Sequence, residues 1–178
     1  MRRPLLALAL FPALLQAAGA PPADVRTQPA MQALAEAPSE AQLRATIAAL
    51  VGFGTRHTLS DTVSDTRGIG AARRWVQARF AAISKDCGDC LQIVTPAQTV
   101  TGKRVPKPTE VMDVVAIKRG SGDPRRVIVM TAHLDSRVTD VMDITHDAPG
   151  ANDDASGVAA VIEAARLLSK EDNRATLV

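Results

Sequence analysis

The sequence predicts an α/β fold whose working end lies beyond the carboxyl edge of a covered strand. Three observations predict it. Val127-Ile128-Val129-Met130-Thr131-Ala132 is apolar apart from one Thr, the pattern of a strand covered on both faces. Helical spacing flanks it, at Ile69, Ala72, Val76, Phe80 and Ile83 before and at Val158, Val161, Ile162, Ala165 and Leu168 after. The strand runs straight into His133-Leu134-Asp135-Ser136, and open α/β sheets bind ligands beyond the carboxyl ends of their strands.

Taken in order, the chain opens with an address. Arg2 and Arg3 precede an apolar run from Leu5 to Leu15 and the small residues Ala18-Gly19-Ala20, the order of a secretory signal over residues 1–20. Pro12 interrupts the run and argues against a buried helix there. No later segment approaches the ~18 apolar residues of a membrane span. The expectation is an exported chain, periplasmic or secreted, with no membrane contact once the signal is removed. Arg2 and Arg3 also account for the whole formal charge of +2. A chain with four aromatics and no Tyr, neutral once residues 1–20 are set aside, lacks the basic stripe and stacking platforms of nucleic-acid binders.

Residues 21–38 are Pro- and Ala-rich and read as a loose leader. Ser39 followed by Gln42 is a capping-box pattern opening a helix through Leu43, Ile47, Leu50 and Val51. A polar loop from Gly52 to about Thr66 leads to the helix that begins near Ile69. Cys87-Gly88-Asp89-Cys90 then follows a helix and precedes a strand, which suits a local disulfide closing a turn more than a catalytic dithiol. With no second cysteine pair, a zinc ribbon is excluded. Strands are expected at Leu91–Thr95, Val111–Ile117 and Val127–Ala132, with Thr101–Thr109 as a hairpin or loop carrying Pro106 and Pro108. Gly120-Ser121-Gly122-Asp123-Pro124 is a turn, and Ala175–Val178 begins a further strand.

The chemistry concentrates after the covered strand. Six of the 20 residues from 135 to 154 are acidic, an accumulation that is costly unless water or a cation offsets it. Asp140, Asp143 and Asp147 read as a solvated loop. His133 and Asp135 suit metal chemistry, because imidazole binds zinc and a carboxylate can hold the ring's other N–H. The loop ends in Ala148-Pro149-Gly150-Ala151-Asn152-Asp153-Asp154-Ala155-Ser156-Gly157. A capped helix start explains one of its carboxylates and leaves the other, with both glycines, needing a role.

In tandem, His133-Leu134-Asp135-Ser136 and Pro149-Gly150-Ala151-Asn152-Asp153-Asp154-Ala155-Ser156-Gly157 resemble the zinc aminopeptidases of the M28 peptidase family. Leu50–Thr58 and Gly68–Arg73 resemble it too, so the likeness runs from about residue 40 to the end. It implies a three-layer α/β/α fold with a mixed, largely buried central sheet, incomplete in this chain, of which residues 39–178 form the N-terminal part. It implies two neighbouring zinc ions, with His133 a terminal metal ligand and Asp153 the carboxylate bridging both. Asp135 matches the catalytic-site acid that orients the His ligand, while Asp154 and Ser156 support the helix start. Asp113 stands where relatives tend to have Asn. The implied reaction is hydrolysis of an N-terminal peptide bond by a metal-activated water, with a glutamate as base.

That glutamate, a ligand Glu beside it, and a later Asp and His belong beyond the strand that begins at Ala175. Glu163, Glu171 and Asp172 lie in or just after the preceding helix and cannot substitute. The expectation is therefore an N-terminal portion of an exported aminopeptidase that acts on peptide substrates, inactive as given. Rival readings are a glutaminyl-cyclase-like single-zinc enzyme, a non-catalytic exported cation-binding module, and another metallopeptidase family that uses His-x-Asp. The Asn-Asp-Asp stretch speaks against the last.

Overall fold

A computed structural model describes residues 28–178; the export signal expected over residues 1–20 lies outside the described residues. Where a loose leader is expected, Pro29–Glu36 forms a helix, α1, with no buried residue. Pro29 starts it, as suits a ring with φ preset for the first turn. Helix α2 spans Glu40–Gly52, and Ser39 Oγ accepts the Gln42 N–H at 3.3 Å as its cap. The Ser39 N–H goes to Glu163 Oε1 at 2.6 Å, so a residue 124 positions away supplies the acceptor that a capping box would take from Gln42.

Helix α3 covers Gly68–Asp86 and buries Ile69, Ala72, Val76, Phe80 and Ile83, the face its spacing marks out. Cys87 and Cys90, just past its end, are joined by a disulfide. Strand β1 (Gln92–Val94) follows, then a hairpin of β2 (Ala97–Gly102) and β3 (Val105–Met112). Pro106 and Pro108 lie inside β3; a two-stranded ribbon leaves every second N–H unpaired and tolerates them there. The single strand expected at Val111–Ile117 is divided. β3 stays with the hairpin, the Asp113 N–H turns to the Pro96 carbonyl at 3.0 Å, and β4 (Val115–Ile117) crosses to pair antiparallel with β1. One strand cannot serve both partners, and the break at Asp113–Val114 separates them.

Strand β5 is Asp123–Ile128 and pairs in parallel with β6 (Ala175–Leu177). Lys118 and Leu177 exchange two backbone hydrogen bonds of 2.9 Å across an antiparallel bridge, which links the pairs in the order β1-β4-β6-β5. The sheet is mixed, as expected. The cover over β5 is not. Its paired residues begin and end earlier than the apolar run, and Val127, Ile128, Val129 and Met130 are 46–59 % exposed. Beyond Ile128 the Met130 N–H still reaches the Val178 carbonyl at 2.9 Å. β5 has one strand neighbour among the described residues, and a cavity of about 540 Å³ opens between 111–116 and 128–134. An apolar run thus meets solvent at a sheet edge.

The chain then enters a short π-helical turn, Ala151–Ala155, and helix α4, Ser156–Leu168. The core forms where α2, α3 and α4 meet the strands. Leu50, Val76, Phe80, Ile83, Val158 and Ile162 make one buried cluster against which Ile93, Ala116, Ala132 and Leu134 pack. Among the described residues no helix is long and apolar enough to cross a membrane.

Glu163 on α4 is 5 % exposed. It accepts the Ser39 N–H and two bonds from Arg166, at 2.8 and 2.6 Å, and so fixes the start of α2 against α4. Glu163→Ala is expected to lower the unfolding free energy by about 2 kcal/mol, read from the urea midpoint at neutral pH. The Arg166 bonds hold this carboxyl below its ordinary value, against burial and with help from Ser39. Such support is present above the unfolded pKa and is lost as pH falls through the folded one, so the deficit of the variant shrinks in acid.

Candidate functional site

Beyond Ile128 the chain stays extended, and side chains alternate between its two faces. Leu134 turns to the core and Ser136 is 3 % exposed, leaving His133 and Asp135 on the other face. This segment is held by lacing to two loops. The Ser136 N–H donates to the Arg56 carbonyl at 3.3 Å, while Ser136 Oγ accepts the Arg56 N–H at 3.0 Å and donates to the Ala148 carbonyl at 2.6 Å. Arg56 is fully buried, with its guanidinium spread over four carbonyls. Nε donates to Leu134 at 2.8 Å, Nη1 to Leu50 and Pro149 at 2.9 and 2.8 Å, and Nη2 to Gly150 at 3.1 Å. Burial pulls its pKa down, and the charges of Asp135 and Asp154 oppose that.

At the mouth of α4 the backbone leaves helical geometry at Asp153 (φ −119°, ψ 93°) and Asp154 (φ −132°, ψ 39°), with a cis peptide between them. The two carboxylates take different duties. Asp154 Oδ1 accepts the Gly157 N–H at 2.9 Å, capping the helix, and Oδ2 accepts the His133 N–H at 3.2 Å. Asp153 is 86 % exposed at its side chain and places Oδ1 2.8 Å from His133 Nε2. The carboxylate that capping leaves unexplained is therefore the one that meets the imidazole. Both glycines acquire a reason as well. Gly150 has φ +49°, and a Cβ there would stand 2.6 Å from Ser136 Cβ; one on Gly157 would collide with the Asp154 carboxylate.

The other ring nitrogen of His133, Nδ1, lies 3.1 Å from both Asp135 Oδ1 and the Asp135 carbonyl. Thr58 Oγ1 donates to Asp135 Oδ2 at 3.2 Å, fixing that carboxylate in turn. Both ring nitrogens thus face acceptors, which suits the doubly protonated ring. Burial opposes the charge, but the bonds and charge of Asp135, with the hydrogen bond to Asp153, outweigh it and raise the pKa of His133 above 6.5.

The proton between Nε2 and Asp153 stands where a cation could replace it. The two donors are 2.8 Å apart, near the ~3.3 Å that two ligands of one tetrahedral zinc take. One imidazole nitrogen with a carboxylate is a donor pair zinc accepts. Among the described residues no group of three or more His, Cys, Asp and Glu side chains forms a complete cage.

The loop from 137 to 147 keeps its acids occupied. Asp140 Oδ1 accepts the Met142 N–H at 2.9 Å, and Asp147 pairs with Arg67 at 2.7 Å. Asp143 accepts the N–H groups of His146 and Thr145, which hold its carboxyl far below the ordinary range. His57, 7 % exposed, accepts the Leu59 N–H at Nδ1 and donates from Nε2 to the Val141 carbonyl at 3.1 Å, tying this loop down.

The sequence reading singles out His133, Asp135 and Asp153, and the structure brings them together. It passes over Arg56, Thr58 and Ser136 as individual residues. A charged residue between Thr55 and His57 with no acidic neighbour nearby in sequence was the available signal for Arg56.

The model of peptidase family M28 matches residues 113–177. A probable zinc metalloprotease of Leptosphaeria maculans is 49 % identical over 149 residues, covering 83 % of this chain and 35 % of that protein. LapB from Legionella pneumophila has a similar structure, with a TM-score of 0.61 at 23 % identity over 88 % of this chain and 38 % of that one. Fimbriiglobus ruber glutaminyl cyclase gives a TM-score of 0.59 at 16 % identity, over 79 % and 44 %. The chain spans about a third of the length of the curated relatives it matches. With the tandem motifs folded onto one site and a family model laid across both, the chain belongs to peptidase family M28.

Proposed function

We propose that this chain serves an exported zinc-dependent aminopeptidase, which removes residues from the free N-terminus of peptides. The observation that carries the reading is the meeting of His133 Nε2 and Asp153 Oδ1 at 2.8 Å, with Asp135 on the opposite ring nitrogen. The relatives are named zinc metalloproteases, and the order of residues 1–20 supports export.

His133 and Asp153 would hold zinc, with Asp153 shared between two ions. Zinc, when bound, polarises a water and the scissile carbonyl at neutral pH. The chain's own residues prepare that chemistry. Asp135 accepts the Nδ1 proton of His133, which leaves the Nε2 lone pair free for a metal. Thr58 holds Asp135, and Asp154 anchors the His133 backbone while capping α4. None of the glutamates hydrogen-bonds to His133, Asp135 or Asp153 among the described residues, and Glu163 is committed to Ser39 and Arg166. A calcium-binding module is disfavoured, because calcium takes six to eight oxygens and has no use for His133.

Zinc titration of the purified chain against a chromophoric chelator tests the donor pair. His133→Ala and Asp153→Ala are each expected to weaken zinc by at least about tenfold, while Asp140→Ala leaves it unchanged and calcium gives no competing signal. Parental affinity in His133→Ala would remove the reading.

The pH dependence has two opposite arms. Protons compete with zinc for Nε2, so zinc affinity falls as pH drops through the raised pKa of His133. Without metal, the charged ring's pairing stabilises the fold below its unfolded pKa and is lost as pH rises through the folded value. His133 is more than half exposed at its side chain, so this arm is worth only ~0.3 kcal/mol after screening. Denaturant midpoints of parent and His133→Ala, converging at alkaline pH, check it.

Substrate class is tested on the whole protein. A free-amine peptide is expected to lose its first residue in a zinc-dependent reaction, while the N-acetylated peptide is spared; equal cleavage of both would identify an endopeptidase.

A further inference from the structure

We propose that Arg56 is the positioning residue of this site: its buried guanidinium gathers the carbonyls of Leu134, Pro149 and Gly150 and thereby sets the separation of His133 from Asp153. The inference rests on the zinc reading for its consequence, and its geometry stands apart from the metal. Leu134 lies between His133 and Asp135, and Gly150 opens the turn that carries Asp153. Neither donor residue hydrogen-bonds to Arg56, yet the backbone on each side of the donor pair ends on its fork, at 2.8 Å from Leu134 and 2.8 and 3.1 Å from Pro149 and Gly150.

The main chain of Arg56 adds to this through Ser136, which bonds both its N–H and its carbonyl and passes on to Ala148. Of its six polar contacts to other segments, only the one to Leu50 reaches outside the site. The domain core, built on Phe80, Ile83, Val158 and Ile162 with Leu50, meets the residue at the Leu50 carbonyl. A guanidinium suits the task because its N–H groups diverge in one plane and can serve four separated acceptors. An ammonium is a single point and cannot.

The test compares Arg56→Lys with Phe80→Leu, a core change away from the site. Both are measured for fold by far-ultraviolet circular dichroism, for zinc affinity, and for the side-chain nitrogen resonances of His133 in the metal-free protein. Arg56→Lys is expected to stay folded, to bind zinc at least about tenfold more weakly, and to move the His133 resonances toward those of a free imidazole. Phe80→Leu loses stability while keeping parental affinity and resonances. Parental behaviour of Arg56→Lys, or equal zinc loss in Phe80→Leu, overturns the proposal.

Should Arg56→Lys fail to fold, Arg56→Gly is supplied with guanidinium or ammonium at millimolar concentration. Recovery of the His133 resonances with guanidinium alone supports the proposal, and no recovery with either overturns it. If the parent chain takes up no zinc, the metal reading fails, while the metal-free resonances still decide the role of Arg56.

Discussion

One carboxylate joins the two halves of the site. Asp154 takes the first free N–H of α4 with one oxygen and the backbone N–H of His133 with the other. A helix start always presents unpaired N–H groups, and an aspartate there is an ordinary solution. Here the same side chain reaches across to a strand end 21 residues earlier. The cap and the site are therefore one interaction, and the neighbouring Asp153 is left free to point at the imidazole.

Much of this was legible in the residues. The spacing of α3 and α4, the Ser39 cap and the turn before Asp123 follow from local chemistry, which a sequence displays directly. His133, Asp135 and Asp153 were legible for a different reason. Their residue types stand out against the apolar run before them and the Ala-rich helix after them. The division at Asp113 was not legible, because Val111–Ile117 reads as one β-prone run and only the competing partners of β3 and β4 divide it. Helix α1 was masked by its Pro and Ala content, which serves a helix start as well as a loose segment.

The cover over β5 was misread for a related reason. A continuous apolar run reports that a strand is suited to burial on both faces, and says nothing about which neighbours are in contact with it. Arg56, Thr58 and Ser136 escaped notice because their roles are long-range. Arg56 meets carbonyls 78 to 94 positions away, and no periodicity or composition marks a residue whose partners are backbone oxygens. Ser136 is a small polar residue in a strand-end motif, indistinguishable from a solvated one until its burial is known.

The bridge at Lys118 and Leu177 has a further effect on how the sheet behaves as a body. Among the described residues it is the one β-bridge between the β1-β4 pair and the β5-β6 pair, one residue pair wide, with the Gly120 N–H bonding Thr176 Oγ1 beside it. The segment that carries His133 continues directly from β5, and its Met130 N–H still bonds the Val178 carbonyl at 2.9 Å, so any shift of the β5-β6 ribbon about that joint would be handed on to the imidazole.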